Sequence, residues 1–296
     1  NNMLLFADDK KEYAKSCDAL ESMLDTLNPS INVDKTYADA FVRQTMSNGA
    51  YYYPDATASI LNKIDNGIMM MTYMGHGGVQ GLSASNILRI TDIEKMNNRY
   101  FPFVVTATCE FSAFDDASFV SAGERFFLKE DGGAIAMYTT TRPTSLSTNL
   151  WIVKNFYKHV FSGDNIKTLR IGDLVRLAKR ENVSNASNYL SYVLYGDPAL
   201  KLAYPEKRVS IDKINGNSIF ETIFVAPMDS LRVEGVINDE NGVVDEDFNG
   251  ILYPKMYDNK SSFQTLNNTA EYNNVYNFKL FSDVLYEGRV SVVNGR

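Results

Sequence analysis

At 296 residues the chain has room for two domains. With 45% hydrophobic and 22% charged residues it has the balance of a globular protein with a sizeable core. Its net charge of −7, with no cluster of Lys and Arg, argues against a nucleic-acid partner, since neutralising phosphates takes concentrated positive charge. The longest apolar runs, Ile68–Met74 and Phe101–Ala107, are far short of the roughly 20 residues that span a bilayer. Two cysteines make no disulfide framework. The chain opens on Asn1-Asn2-Met3 without a charged-then-apolar leader, so either a leader already removed or a piece of a longer protein is expected.

In chain order, Met3–Ala7 reads as a strand. Lys11–Leu27 reads as an amphipathic helix, with Tyr13, Cys17, Leu20 and Leu24 near helical spacing. Asn32–Ala38 looks extended and Ser59–Asp65 helical. The continuous apolar run Ile68–Met74, stopped by Gly75, has the form of a parallel strand buried on both faces. Thr91–Asn97 is predicted helical, and Phe101–Thr108 is a second buried strand, followed by a polar loop and a helix near Phe119–Lys129. A third such strand, Gly133–Tyr138, precedes helices near Asn149–Phe161 and Thr168–Arg180. This alternation predicts an α/β domain over residues 1–205, a three-layer α-β-α sheet with right-handed crossovers. Around Tyr204-Pro205-Glu206 the texture changes. Short alternating strands such as Ser230–Ile237 and Gly250–Tyr257 follow, separated by the turn signals Asn215-Gly216, Glu240-Asn241-Gly242 and Asn249-Gly250. Residues 206–296 are therefore predicted to form a small all-β sandwich of immunoglobulin-like type.

Histidine and cysteine are scarce: His76, His159, Cys17 and Cys109. One of each follows a predicted central strand, in Tyr73-Met74-Gly75-His76-Gly77-Gly78 and Thr106-Ala107-Thr108-Cys109-Glu110. Open parallel sheets bind ligands beyond the carboxyl ends of their strands, so both side chains are expected in one crevice if the strands are neighbours. A thiol needs a nearby imidazole to become or remain thiolate. Gly77, lacking a Cβ, lets its N–H approach a carbonyl oxygen and, with the N–H of Cys109, form an oxyanion hole. A strand-end cysteine is more often a small buried apolar residue than a nucleophile, and a histidine among glycines is often structural. Their pairing at the ends of two strands in series tips the balance to chemistry. His159 is expected as a surface or packing residue beside Phe156, Tyr157 and Val160, and Cys17 as core. The glycine turn lacks the spacing of a phosphate-binding fingerprint, and no metal site is predicted because no zinc-spaced cluster is present.

Tyr73-Met74-Gly75-His76-Gly77, Thr106–Ser112 with Cys109, Tyr195-Gly196-Asp197-Pro198-Ala199-Leu200 and Phe248-Asn249-Gly250 resemble the gingipain family of cysteine peptidases, within the caspase-like clan. The resemblance is closer still to the PorU-type C-terminal signal peptidases (sortases) of the type IX secretion system. It implies His76 as catalytic histidine, Cys109 as nucleophile and Gly77 as oxyanion-hole glycine. It implies the loop Thr139–Thr148, with Thr140, Thr141 and Arg142, as a wall of the specificity pocket. An acid that orients the histidine would be Asp8 or Asp9, while Asp116 is expected to cap the helix that follows. The substrates implied are protein, namely C-terminal sorting domains of exported proteins, alongside other secretion-system components, with transfer to a surface amine as an alternative to hydrolysis. The location implied is the bacterial cell surface or outer membrane, as part of a longer protein. No cofactor is implied beyond a structural calcium. Two rival readings keep the same fold: a catalytically silent surface module, and a secreted degradative protease.

Overall fold

The structure, a computed structural model, describes residues 2–162, 166–181, 189–226, 229–271 and 274–296. The main element is a six-stranded sheet with strands β1 (Asn2–Ala7), β2 (Asn32–Tyr37), β3 (Met70–Met74), β4 (Phe103–Ala107), β5 (Ala136–Thr140) and β6 (Tyr192–Tyr195). Their spatial order is β6-β5-β4-β3-β1-β2. All pairings are parallel except β5 with β6. The runs Met-Met-Thr-Tyr-Met and Phe-Val-Val-Thr-Ala of β3 and β4 are buried along their whole length, because both faces of the sheet are covered.

Side chains alternate along each strand, so each face is lined by every second residue. Leu4, Phe6, Met71, Tyr73, Val104 and Met137 join one core with Ala56, Ile60 and Ile64 of α2 (Pro54–Asp65) and Ala122 and Phe126 of α3 (Ala122–Phe127). On the other face lie α1 (Lys11–Leu27), α4 (Leu146–Phe161) and α5 (Ile171–Arg180). There Phe103 stacks on Phe156, with ring centroids 5.5 Å apart, and the hydroxyls of Thr72 and Tyr157 meet. Helix α1 keeps the bounds expected of it, its buried stripe running through Tyr13, Cys17, Leu20 and Leu24.

Helix starts differ from the sequence reading wherever a cap decides them. Helix α2 opens at Pro54 rather than Ser59, proline being suited to a first turn whose N–H is unpaired anyway. The helix expected near Phe119 opens at Ala122, where Ser121 and Glu124 form a reciprocal capping box. Asp116 therefore does not cap it, and instead accepts hydrogen bonds from the amide and hydroxyl of Ser118. The helix expected over Thr91–Asn97 is a single turn, Ile90–Ile93. Strand β6 falls in a stretch with no strand assignment from sequence. It is followed by a turn in which Asp197 accepts from the amide of Ala199, while Ile171 and Gly172 donate to Leu200 and Pro198. The Tyr195–Leu200 motif thus has a structural task, tying the sheet edge to α5.

The chain divides into two compact units, one of residues 1–203 with 262–280, the other of 204–261 with 281–296. The second unit holds small antiparallel sheets. Val233–Asn238 and Asn217–Ser218 flank Arg208–Ile214, and two-stranded ladders join Gly250–Leu252 to Val290–Val292 and Lys255–Tyr257 to Val284–Glu287. Pro254 interrupts the expected strand Gly250–Tyr257, splitting it in two. Many of this unit's apolar residues, among them Phe220, Phe224 and Tyr253, are exposed.

Candidate active site

Strands β3 and β4 are neighbours, with Met74 opposite Ala107. The next residues, Gly75-His76 and Thr108-Cys109, therefore leave the same carboxyl edge side by side, and the amide of Gly75 donates to Ala107 O at 3.3 Å. On the other side of β3, Ala7 of β1 lies opposite Met74, and the amide of Asp8 donates to Met74 O at 3.0 Å. Three loops, one acidic, one carrying the histidine and one the cysteine, meet at one edge.

The histidine loop is held through its backbone. Asp8 Oδ2 accepts the His76 amide at 3.0 Å, Tyr73 OH donates to His76 O at 2.5 Å and the Ser83 amide donates to the same carbonyl at 2.7 Å. The ring of Tyr13, from α1, packs edge-on against the imidazole with centroids 5.5 Å apart. Burial first, and then the nearby charge of Asp8, push the Tyr13 phenol upward. Gly75 has no room for a side chain, since a Cβ would overlap Tyr73 OH and Asp8 Cβ.

Both acids expected beside the histidine are buried. The Asp8 carboxylate reaches His76 through the backbone N–H, its other oxygen accepting Ser83 Oγ at 2.5 Å and the Asp9 amide at 2.9 Å. The Asp9 carboxylate is turned to Tyr53 OH at 3.2 Å and Ser85 Oγ at 2.8 Å. Burial, and then the charge of Asp9, raise Asp8 from its ordinary 3.8 to about 6, against the opposing pull of its hydrogen bonds. Folding thus favours the protonated form. The contribution of Asp8 to stability is fully present below about pH 3.8 and is lost as pH rises through about 6. Against Asp8→Asn, the wild type should lose on the order of 2 kcal/mol between pH 4 and 7. Urea unfolding of both proteins across that range measures it, and parallel curves would dismiss the assignment.

The cysteine loop is held by the segment after β5. Cys109 is half-buried, and its Sγ accepts the Thr144 amide at 3.4 Å and lies 3.6 Å from Thr144 O. Thr140 Oγ1 and Thr144 Oγ1 both donate to Thr108 O at 2.8 Å. Glu110 turns the chain sharply after the cysteine with φ +48°. Gly77 lies against the buried Thr108: a Cβ would overlap Oγ1 and stand 3.0 Å from Cγ2. Of the three residues expected to wall the specificity pocket, Thr140 and Thr141 are buried and bonded to Thr108 O and Ser191 O. Arg142 is exposed and paired with Asp115. A depression of about 410 Å³ opens beside His76, lined by Gly77, Gly78, Gln80, Ser83 and Arg89.

The two remaining candidates lie elsewhere. Cys17 is fully buried in α1, where burial pushes its thiol upward. His159 pairs with Glu181 at 2.8 Å. Tyr13 and Ser83 carry no local sequence signal that ties them to the site, whereas Thr144 falls within the Thr139–Thr148 loop. Among the described residues, no three His, Cys, Asp or Glu are grouped to hold a metal ion.

An open, largely parallel sheet with a histidine and a cysteine on neighbouring carboxyl-edge loops has a layout suited to thiol peptidase chemistry. The model of peptidase family C25 matches residues 1–203, and the chain belongs to that family. Solved structures similar to it include the complex of Porphyromonas gingivalis RgpB pro- and mature domains, with TM-score 0.55 and 15% identity, covering 71% of this chain and 51% of that one. The Arg specific cysteine proteinase gingipain R (RgpB) gives TM-score 0.55 and 14% identity, covering 95% of this chain and 61% of that one. Dimeric latent PorU from Porphyromonas gingivalis gives TM-score 0.31 and 14% identity, covering 99% and 38%, a fit too loose to bear on function. At these identities the likeness is one of fold. The chain spans 51% and 61% of the lengths of the first two. A comparison with curated proteins finds no match.

Proposed function

We propose that this chain is the catalytic portion of a cysteine endopeptidase in which Cys109 is the nucleophile and His76 carries the proton. The observation behind this reading is the register of β3 and β4, which brings the only histidine and cysteine at the sheet's carboxyl edge, among the described residues, onto adjacent loops. The Cys109 thiolate, steadied by the Thr144 amide, attacks the scissile carbonyl carbon and forms a C–S bond. The carbonyl oxygen takes up the negative charge, facing the amides of Gly77 and Cys109. Collapse breaks the C–N bond, His76 giving its proton to the departing amine and leaving a thioester. Water, activated by His76, then releases the acid. An amine in place of water would give transpeptidation.

For substrate, the reading takes C-terminal sorting domains of exported proteins, met at the bacterial cell surface among the components of a type IX secretion system. The motifs Tyr195–Leu200 and Phe248-Asn249-Gly250 favour it through their sequence resemblance. In the same reading residues 206–296, apart from segment 262–280 that packs with the sheet, are an immunoglobulin-like companion to the peptidase domain 1–205, and Arg142 is the exposed member of the specificity wall. Indiscriminate digestion of unfolded proteins would count against so dedicated a substrate.

The dyad is tested by intact mass after mild iodoacetamide treatment. A single fast addition mapping to Cys109, slowed at least about tenfold in His76→Ala, is the expected result. Equal, slow labelling of both proteins would leave Cys109 without an activating partner, and the reading would fall.

A further inference from the structure

Segment 262–280 lies outside the residues matched by the family model, yet it packs into the same unit as the sheet. One end of it grips the acidic loop. Asn274, buried to 3% exposure, donates from Nδ2 to Asp9 O at 3.1 Å, and its Oδ1 accepts the Lys11 amide at 3.0 Å. The two bonds bracket Lys10, whose ammonium pairs with Glu271 at 3.0 Å. They set the backbone path immediately after Asp8, the residue whose carboxylate accepts the His76 amide. A second grip of the same segment lies elsewhere: the Asp39 carboxylate accepts the amides of Asn267 and Asn268 at 2.9 and 2.7 Å, and Asn268 Nδ2 donates to Phe41 O.

The geometry points to Asn274 as a positioning residue for the histidine loop, acting through Asp9 and Asp8 on His76. This rests on the dyad proposed above. Nδ2 also donates to Thr269 Oγ1 at 3.2 Å, anchoring Asn274 to its own segment, and a short buried polar side chain that bonds a loop with both ends orders backbone that would otherwise sample many paths. An ångström of drift there is enough to misalign a proton carrier. The peptidase unit is accordingly incomplete without residues contributed from well beyond the family match.

The test is the rate of Cys109 alkylation by iodoacetamide from pH 5 to 9, in the full 296-residue chain, for wild type, His76→Ala, Asn274→Ala and Asn268→Ala. An activated dyad keeps its rate at neutral pH, whereas an isolated thiol gains rate steadily as pH rises toward its ordinary ionisation. Asn274→Ala should lose about tenfold or more at pH 7 and take on the rising profile of His76→Ala. Asn268→Ala, which loosens the other grip, should keep the wild-type profile. Should Asn274→Ala fail to fold, Asn274→Asp, which keeps the acceptor for Lys11 and loses the donor to Asp9, is read in the same way. A wild-type profile in the Asn274 variant, or an equal change in Asn268→Ala, overturns the positioning role alone. A wild type indistinguishable from His76→Ala overturns the dyad and the positioning role with it.

Discussion

Cys109→Ala should lower peptide-bond cleavage by a factor on the order of 10⁴ or more, with little change in thermal midpoint. In the proposed mechanism the Cys109 thiol forms the bond to the carbonyl carbon, and the chain's other thiol cannot take its place, since Cys17 is fully buried in α1 and burial pushes its thiol upward. Stability should be nearly untouched, because the Cys109 sulfur is half-buried and makes only long contacts with Thr144. The matched control is Cys17→Ala, which deletes a core atom and should cost stability while leaving the rate per folded molecule unchanged. Cleavage of an exported protein carrying its C-terminal sorting domain, followed by gel and mass spectrometry, gives the rate, and a thermal melt of each variant gives the midpoint. If Cys109→Ala kept more than a tenth of the wild-type rate, the nucleophile would have to be sought elsewhere.

The second large effect is expected at Gly77. A Cβ there would overlap the hydroxyl of Thr108 and stand 3.0 Å from its Cγ2 and 3.2 Å from its Cβ. Thr108 is fully buried and its carbonyl is held by Thr140 and Thr144, so the backbone that carries the clashing side chain resists displacement. Gly77 follows His76 and Thr108 precedes Cys109, so relief of the clash pushes the two loops apart. Gly77→Ala should slow Cys109 alkylation at pH 7 about 10²-fold and destabilise the fold by about 1–3 kcal/mol. The second-site change Thr108→Ala removes the clashing hydroxyl and methyl, so the double variant should regain much of what Gly77→Ala loses. A double-mutant cycle against Thr108→Ala alone isolates that coupling. Strict additivity would mean that the two loops do not press on each other.

What could be read directly from the chain was whatever depends on local pattern. Continuous apolar runs at Ile68–Met74 and Phe101–Thr108 announced central strands, because a parallel strand covered on both faces has no polar side to show. The stripe of α1 announced its helix for the corresponding reason at a period of 3.6. Apolar periodicity does not locate the helix starts at Pro54 and Ala122, because it blurs at element ends, where a proline or a capping box decides. Strand β6 is not legible in the sequence, because four residues at a sheet edge carry too little pattern to stand out.

The sequence by itself determined the layered α/β architecture and the two rare side chains at its carboxyl edge. Strand character and the scarcity of histidine and cysteine are properties of single residues and their near neighbours. Tertiary structure decided which strands are adjacent, that Asp8 meets the backbone of His76 and Asp9 faces Tyr53 and Ser85, and that Thr144 lies against the cysteine sulfur. It also decided that Asn274 returns across 265 positions to bind the carbonyl of Asp9. Such contacts depend on strand order, register and a few tenths of an ångström between side chains far apart in the chain, and no local pattern of residues encodes those.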